Sequence, residues 1–597
     1  MAYQALEGSL LYSPRTSYIA VVAIDFGTTY SGFAFSFIKD QGKDAIFMNR
    51  DWANEQGQQT SKTPTCLLLK PDLSFDSFGY EAIEKYSSLQ GDGEEKEYLF
   101  FNHFKMALHT ENTLNTETTI KAANGKFVKA KRVFACSISF LKDEAIKTIQ
   151  GQTGDDCFSV DDIQWVLTVP AIWGQRAKQF MREAAYEAKV GSTAKADQLT
   201  IALEPEAAAI FCQEKNLNEF QSETGVKSVK GLLAQPDKHY MVVDIGGGTL
   251  DVTVHMIEDD GTIKEIHKVT GGPYGGIYVN QRFENLLEEI LGRQRLQNYQ
   301  KQFPSDWLCL MNEFEGKKRG KRILDSGLMT NIRPPRSFVT LVNETGSSAL
   351  KRYGETEIKL KNNEYLSLSS GMMKTLFSPV VEKIKQHLKT LVRKPELSKV
   401  RTMLLVGGFA EAAFLQQEMK LEFSKRGFRV LVPHHATTAV VQGAVMFGKS
   451  PTKITERVVA TTYGSGCARD FIKGVHPEEK KIIVHGVEKC NNLFKCFIKE
   501  NERVQCGQKI KLSFSPLYPE EDKIEYSFYI SSDPNVKFTT DPEVTKIGRV
   551  VVQSPDTWKG KDRNIEVSLC FGGTEITATA LDISSGNQAQ TTLDFFC

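Results

Sequence analysis

Asp25-Phe26-Gly27-Thr28-Thr29-Tyr30 and Asp244-Ile245-Gly246-Gly247-Gly248-Thr249-Leu250-Asp251 carry one chemistry twice, far apart in the chain. Each follows a short apolar run, Val21-Val22-Ala23-Ile24 or Met241-Val242-Val243, which reads as strand, tight turn, strand. Glycines open backbone N–H groups to anionic oxygens, and threonine adds a hydroxyl donor. A hard cation needs a few carboxylates, often through water, and Asp25, Asp244 and Glu204 are the candidates. Two such hairpins facing each other would grip a polyphosphate and its metal between two half-domains, which points to ATP. In Leu203-Glu204-Pro205-Glu206, Pro205 suits the first turn of a helix and Glu204 its start. The plainer reading of Glu204 is an ordinary helix-start acid. Two more glycine turns are Gly271-Gly272-Pro273-Tyr274-Gly275-Gly276, before a helix, and Val406-Gly407-Gly408-Phe409, after a strand. Each alone is only a turn. The order of all four is more specific. No Walker-type Gly-x-x-x-x-Gly-Lys-Ser/Thr loop occurs, and no Gly-x-Gly-x-x-Gly opens a dinucleotide unit.

Residues 18–450, which must position these turns, alternate strands with helical stretches as in an α/β domain. Trp165-Val166-Leu167-Thr168-Val169 and Met403-Leu404-Leu405-Val406 are strand signals; 175–189, 279–292 and 371–392 are helical. In the last, Met372, Leu376, Val380, Ile384, Leu388 and Leu391 recur at helical spacing and predict a packed face. Residues 213–238 and 325–365 read as polar loop insertions, the second alternatively as a mobile subdomain. Residues 1–17 read as a flexible lead-in and 451–455 as a linker. Over 456–597 alternating runs such as Lys509-Ile510-Lys511-Leu512-Ser513-Phe514 replace helical periodicity and predict an all-β sandwich.

A chain of 597 residues is too long for one core. Its net charge of +1 gives no basic field for nucleic acid. The apolar stretch 18–24 ends at Asp25 with no signal peptide before it, and nothing later approaches a membrane span. Eleven cysteines without a paired framework suit a reducing cytoplasm or nucleus. Cys490, Cys496 and Cys506 cluster loosely but lack zinc spacing. Residues 313–322 contain Glu315, Lys317, Lys318, Arg319, Lys321 and Arg322, a basic run that fits a solvated face or a nuclear-import signal.

In combination these motifs resemble the actin-like ATPase domain of the seventy-kilodalton heat-shock (Hsp70) chaperone family. The first hairpin resembles its first phosphate motif, and Trp165–Val169 with Pro170-Ala171-Ile172-Trp173 its connecting strand and proline switch. The second hairpin resembles the second phosphate motif, and Val406-Gly407-Gly408 the adenosine motif. The details look most like the atypical heat shock 70 kDa protein 12 branch. The resemblance spans 18–450 and implies two ribonuclease-H-like lobes around a nucleotide cleft. It implies that Thr28, Thr29 and Tyr30, after Gly27, line the β- and γ-phosphates, and that Gly246, Gly247, Gly248 and Thr249 cradle them from the other lobe, with Gly275 and Gly276 in the next turn. Asp25 and Asp244 would hold magnesium through water, and Glu204 would position the metal shell or the attacking water. Lys105 is the best match to the family's water-orienting lysine; read alone, it is a solvated helix lysine. Glu315, Lys318 and Arg319, with Gly407 and Gly408, would contact adenosine.

The chain departs from the family at Phe409 and Glu411, where a small polar residue and an arginine are usual, and its Thr455-Glu456-Arg457-Val458 lacks the acidic-leucine linker. The β module resembles a peptide-binding sandwich. The sequence stops at Cys597, where the family's helical lid and acidic tail would follow, which implies a lidless groove with fast peptide exchange. The resemblance therefore implies an ATP/ADP-binding chaperone with slow, magnesium-dependent hydrolysis and an unfolded peptide or specific client as partner. Its alternatives are a nucleotide-gated adaptor with negligible hydrolysis and, less supported, a small-metabolite kinase on the same fold.

Overall fold

The computed structural model describes residues 18–592 apart from 41–44, 50, 54–58, 93, 110–113, 215–219, 222–236, 326 and 355. The lead-in expected over 1–17 lies outside these residues, as does most of the insertion expected over 213–238.

Both glycine turns close antiparallel hairpins at the middle of a large sheet. In the first sheet Ala20–Phe26 pairs antiparallel with Tyr30–Phe37 and parallel with Ile163–Val169, which in turn pairs with Leu199–Leu203. In the second, His239–Ile245 pairs antiparallel with Leu250–Ile257 and parallel with Thr402–Val406, followed by Arg429–Pro433. The same local topology thus occurs twice. The central strands Ala20–Phe26 and Ile163–Val169 are buried throughout, which explains why they read as near-continuous apolar runs rather than alternating ones.

Helices Glu204–Gln213 and Ala439–Lys449 pack between the two sheets, on Val21, Ala23 and Val166 of the first and Val242, Leu404 and Val406 of the second. They approach closely because their contact is built of small residues. A Cβ added to Gly443 would lie 1.8 Å from the Ala207 carbonyl oxygen.

Helices form at Gln175–Glu187, Ile277–Leu291 and Ser370–Leu391, each within two residues of the expected bounds. On the last, Leu376, Val380, Ile384, Leu388 and Leu391 are buried and Met372 is half-buried. Of the two readings of 325–365, its described residues depart from the loop insertion. Met329–Ile332, Ile358–Lys361 and Tyr365–Ser369 form an antiparallel sheet whose Ile332, Ile358, Leu366 and Leu368 join the core of the second half. Its hairpin turn is Asn362-Asn363, both at positive φ (55° and 54°), a turn that asparagine tolerates well.

The linker expected at 451–455 is also corrected. Ile454–Val458 is a strand that pairs parallel with Ile263–Gly272 and antiparallel with Arg503–Gln505. Ile454 is buried in the core between the sheets, so this segment is fastened rather than free. Beyond it lie a five-stranded and a four-stranded sheet, all antiparallel. Phe528, Val550 and Val552 of one share a core with Ile565, Val567, Leu569, Ala578 and Ala580 of the other.

The β module is tied to the rest by one buried ion pair and by half-buried polar contacts. Arg457 forks onto Glu206, with Nε 2.7 Å from Oε1 and Nη2 2.6 Å from Oε2, and also donates to the Gly572 carbonyl. Arg182 forks onto Glu575, with Nε 2.6 Å from Oε1. The Thr574 hydroxyl donates to the Ile201 carbonyl at 2.7 Å. Among the described residues no helix is long and apolar enough to cross a membrane.

Candidate nucleotide cleft

The two hairpin turns face each other at contact distance. A Cβ on Gly247 would lie 2.1 Å from Thr29 Oγ1, and one on Gly248 2.9 Å from Thr28 Oγ1. Only glycine lets the second turn approach the first this closely. Asp25 is the register partner of Gly32, and Asp244 of Asp251, so both aspartates stand at strand ends beside their turns. Gly275 donates to the Gly248 carbonyl at 3.1 Å and packs beneath Gly247. It therefore braces the second turn and does not line the cleft. Every other residue expected at the site lines one cleft: Asp25, Gly27, Thr28, Thr29 and Tyr30 from the first hairpin; Lys105 and Glu204; Asp244, Gly246, Gly247, Gly248 and Thr249 from the second; and Gly276, Glu315, Lys318, Arg319, Gly407 and Gly408 from later segments.

At the phosphate end, Lys105 is buried, not solvated, with Nζ 2.8 Å from Glu204 Oε1 and 5.1 Å from the centre of the Trp173 ring. Glu204 begins its helix, with Pro205 in the first turn. Asp251 accepts the Ile172 N–H at 2.8 Å, which ties the second hairpin to the segment after strand Ile163–Val169. The Asp244 Oδ2 atom is buried with no hydrogen-bond partner. Burial pushes the Glu204 carboxyl up to about 7; Lys105 opposes this, and Asp25 and Asp251 add to it. Burial also holds Asp244 well above the usual carboxylate range, with Glu204, Asp251 and Asp25 reinforcing it. An orphaned oxygen among crowded carboxyls fits a divalent cation held by few direct protein ligands.

Glu204 contributes a pH slope of definite sign to ligand-free stability. The unfolded chain releases the Glu204 proton near 4.5, whereas the folded chain keeps it to about 7. Across that window the folded carboxyl binds more protons, so its contribution to stability falls as pH rises, by at most about 1.4 kcal/mol per pH unit. Buried His255, held down to about 4, adds the opposite slope over much of this range, so the Glu204 contribution is read as a difference: the stability of wild type relative to Glu204→Gln should fall from pH 5 to pH 7. A wild-type stability that rises relative to Glu204→Gln over this range in the ligand-free chain would contradict the assignment.

Glu315 and Lys318 sit on helix Pro304–Lys318, which stops before the basic run does. Lys318 is buried and donates to the Gly276 carbonyl at 3.0 Å, to Asn280 Oδ1 at 2.9 Å and to Glu315 Oε2. Its three donors are engaged, so it braces the site. Burial raises the Glu315 carboxyl, but Lys318 and Arg319 outweigh this and bring it down to about 2. Arg319 reaches across the cleft, with its guanidinium 4.7 Å from the centre of the Tyr30 ring. Phe409 fills the space beside Gly276, where an added Cβ would lie 3.3 Å from its ring, and stacks on Phe377 at 5.9 Å. Glu411 accepts the Thr437 N–H at 3.2 Å.

Sequence reasoning missed Lys62 and Thr168. Lys62 Nζ lies 2.5 Å from Asp25 Oδ2, and Thr168 Oγ1 lies 3.0 Å from Asp25 Oδ1. Lys62 stands in a polar stretch with no glycine signal; only the pairing of Thr63–Pro64 with Tyr30 and Ser31 brings it to the site.

A mixed α/β core with paired aspartate-glycine hairpins across a cleft defines an actin-like ATPase domain of the Hsp70 type. The chain belongs to the Hsp70 family: the family described as Hsp70 protein matches residues 95–464. The chain is 38% identical over 629 residues to heat shock 70 kDa protein 12A of Mus musculus, covering 98% of this chain and 92% of that protein. It is 36% identical over 634 residues to heat shock 70 kDa protein 12B of Homo sapiens, covering 97% and 92%. Similarity to chaperone protein DnaK of Mycoplasmopsis synoviae (strain 53) is 25% over 338 residues, 56% of this chain and 48% of that protein.

Proposed function

We propose that this chain binds ATP and ADP with magnesium between two ribonuclease-H-like lobes, hydrolyses ATP slowly, and uses lobe closure to act on a protein client. The observation that carries this reading is the convergence of the two glycine turns, with Gly247 against Thr29, above a cluster of buried carboxyls. Backbone N–H groups of both turns and the hydroxyls of Thr28, Thr29 and Thr249 would hold the phosphate chain. Asp25 and Asp244 would hold magnesium through water, and the metal would neutralise charge on the phosphate oxygens. Lys105 and Glu204, 2.8 Å apart, would position the attacking water. Catalysis would come mainly from positioning and charge. Adenosine would lie among Gly276, Arg319, Gly407 and Phe409, which gives the base an apolar ring where the family has a small polar group.

The two antiparallel sheets after residue 458 would bind unfolded peptide or a specific client. The free thiols of the described cysteines suit the cytoplasm or nucleus. A second reading is a nucleotide-gated adaptor with negligible hydrolysis. Its support is that both oxygens of Asp25 are engaged, by Lys62 and Thr168. Calorimetric titration of ATP and ADP with magnesium should show one site per chain. An absence of binding by both nucleotides would refute both readings.

A further inference from the structure

The two aspartates of the paired hairpins stand in different electrostatic states. Asp244 Oδ2 is buried without a partner, whereas Asp25 has Lys62 on Oδ2 at 2.5 Å and the Thr168 hydroxyl on Oδ1 at 3.0 Å. The Lys62 side chain is only 11% exposed and lines the cleft beside Thr28 and Thr29. Its position is built into the fold. The residues that follow it, Thr63 and Pro64, pair with Ser31 and Tyr30, and Thr65 donates to the Gly27 carbonyl at 2.8 Å. Gly32, opposite Asp25 in register, leaves room for the lysine stem: a Cβ there would lie 2.9 Å from Lys62 Cγ. The charges around this point are Asp25, Glu204, Asp244 and Asp251 against Lys62 and Lys105. Lys105 pairs with Glu204, whereas Lys62 pairs with Asp25, the aspartate that leads into the first phosphate turn. An ammonium is a compact point charge suited to phosphate oxygens and to carboxylates alike.

We infer that Lys62 is a built-in cation that takes over part of the charge neutralisation a divalent metal supplies in this cleft, so that nucleotide binding persists after the metal is chelated. The inference rests on the ATP reading above. Bound polyphosphate and Asp25 share the Lys62 ammonium, and Asp244 remains the more open carboxylate for the metal's water shell. Binding is then weakly metal-dependent, while hydrolysis, which needs charge neutralised on the terminal phosphate, still requires magnesium.

The test is the ratio of the ADP dissociation constant in EDTA to that in magnesium, measured on the full chain by equilibrium fluorescence with a labelled ADP. The wild-type ratio should stay below about tenfold, and Lys62→Met should raise it by about another tenfold or more. Lys62→Arg should keep the wild-type ratio. Gly32→Ala, which crowds the lysine stem, should move the ratio in the direction of Lys62→Met. A merely structural Lys62 would lower the melting temperature of Lys62→Met without changing the ratio, and that result overturns the inference. If wild type fails to bind in magnesium, the cleft reading itself fails. If it binds in magnesium and loses binding more than about a hundredfold in EDTA, with Lys62→Met behaving identically, only the Lys62 inference fails.

Discussion

Lys105→Met should slow single-turnover hydrolysis by about a hundredfold or more while changing nucleotide affinity by no more than about threefold. The lysine is buried, its ammonium is 2.8 Å from Glu204, and the Trp173 ring closes one side of it. Methionine has a similar reach and fills the same space without charge. Glu204 would lose the cation that lowers its pKa, so the carboxyl would hold its proton more strongly than at present. An acid protonated near neutral pH cannot accept a hydrogen bond from the attacking water as a carboxylate does. Rapid-quench measurement of one turnover, together with a binding titration, separates the two effects. Equal losses in affinity and rate would mean that Lys105 binds the phosphates and does not orient water.

Arg457→Met should produce the second large effect, this time on the joint between the two parts of the molecule. Glu206 and Arg457 are both buried, and removing the cation leaves a carboxylate without a partner in a dry site. Such an imbalance costs about 3–5 kcal/mol. Glu206 lies on the same first helical turn as Glu204, so the joint touches the element that carries a phosphate-end acid. Limited proteolysis should show nucleotide changing the cleavage of the β module in wild type and not in Arg457→Met. Thr574→Val, which removes only the hydrogen bond to the Ile201 carbonyl, should weaken this response at smaller cost to stability. A nucleotide response retained in full by both variants would show that the joint does not couple the parts.

The glycine hairpins and the helix starting at Glu204 were legible in the sequence because their signals are local: an apolar run, a turn residue, a proline at the first turn. The packed face of Ser370–Leu391 was legible for the same reason, through its periodicity. Lys62 was not legible, since nothing near it in sequence distinguishes it from a surface lysine. Its role arises from strand pairing across the first hairpin. Stretch 325–365 read as a loop, with a subdomain as the alternative, because its strands are four or five residues long and rich in lysine, serine and asparagine. Short polar strands carry little periodicity, and here tertiary burial of a few residues such as Ile332 and Leu368 decides the outcome. The supposed linker was misread because Lys449-Ser450-Pro451 does end a helix, and the strand pairing of Ile454 just beyond it is non-local. Lys318 and Gly275 show a finer limit. Motif matching brought both to the site, but the fold engages all three donors of Lys318 in the cleft wall and sets Gly275 behind the second turn.

The most direct measurement is single-turnover conversion of labelled ATP by the full chain, with and without magnesium, beside Asp25→Ala and Glu204→Ala. Slow, magnesium-dependent formation of ADP by wild type, lost in both variants, is the expected result. Stoichiometric ATP binding in magnesium with no ADP formed over many hours would contradict the hydrolytic reading and leave a nucleotide-gated adaptor.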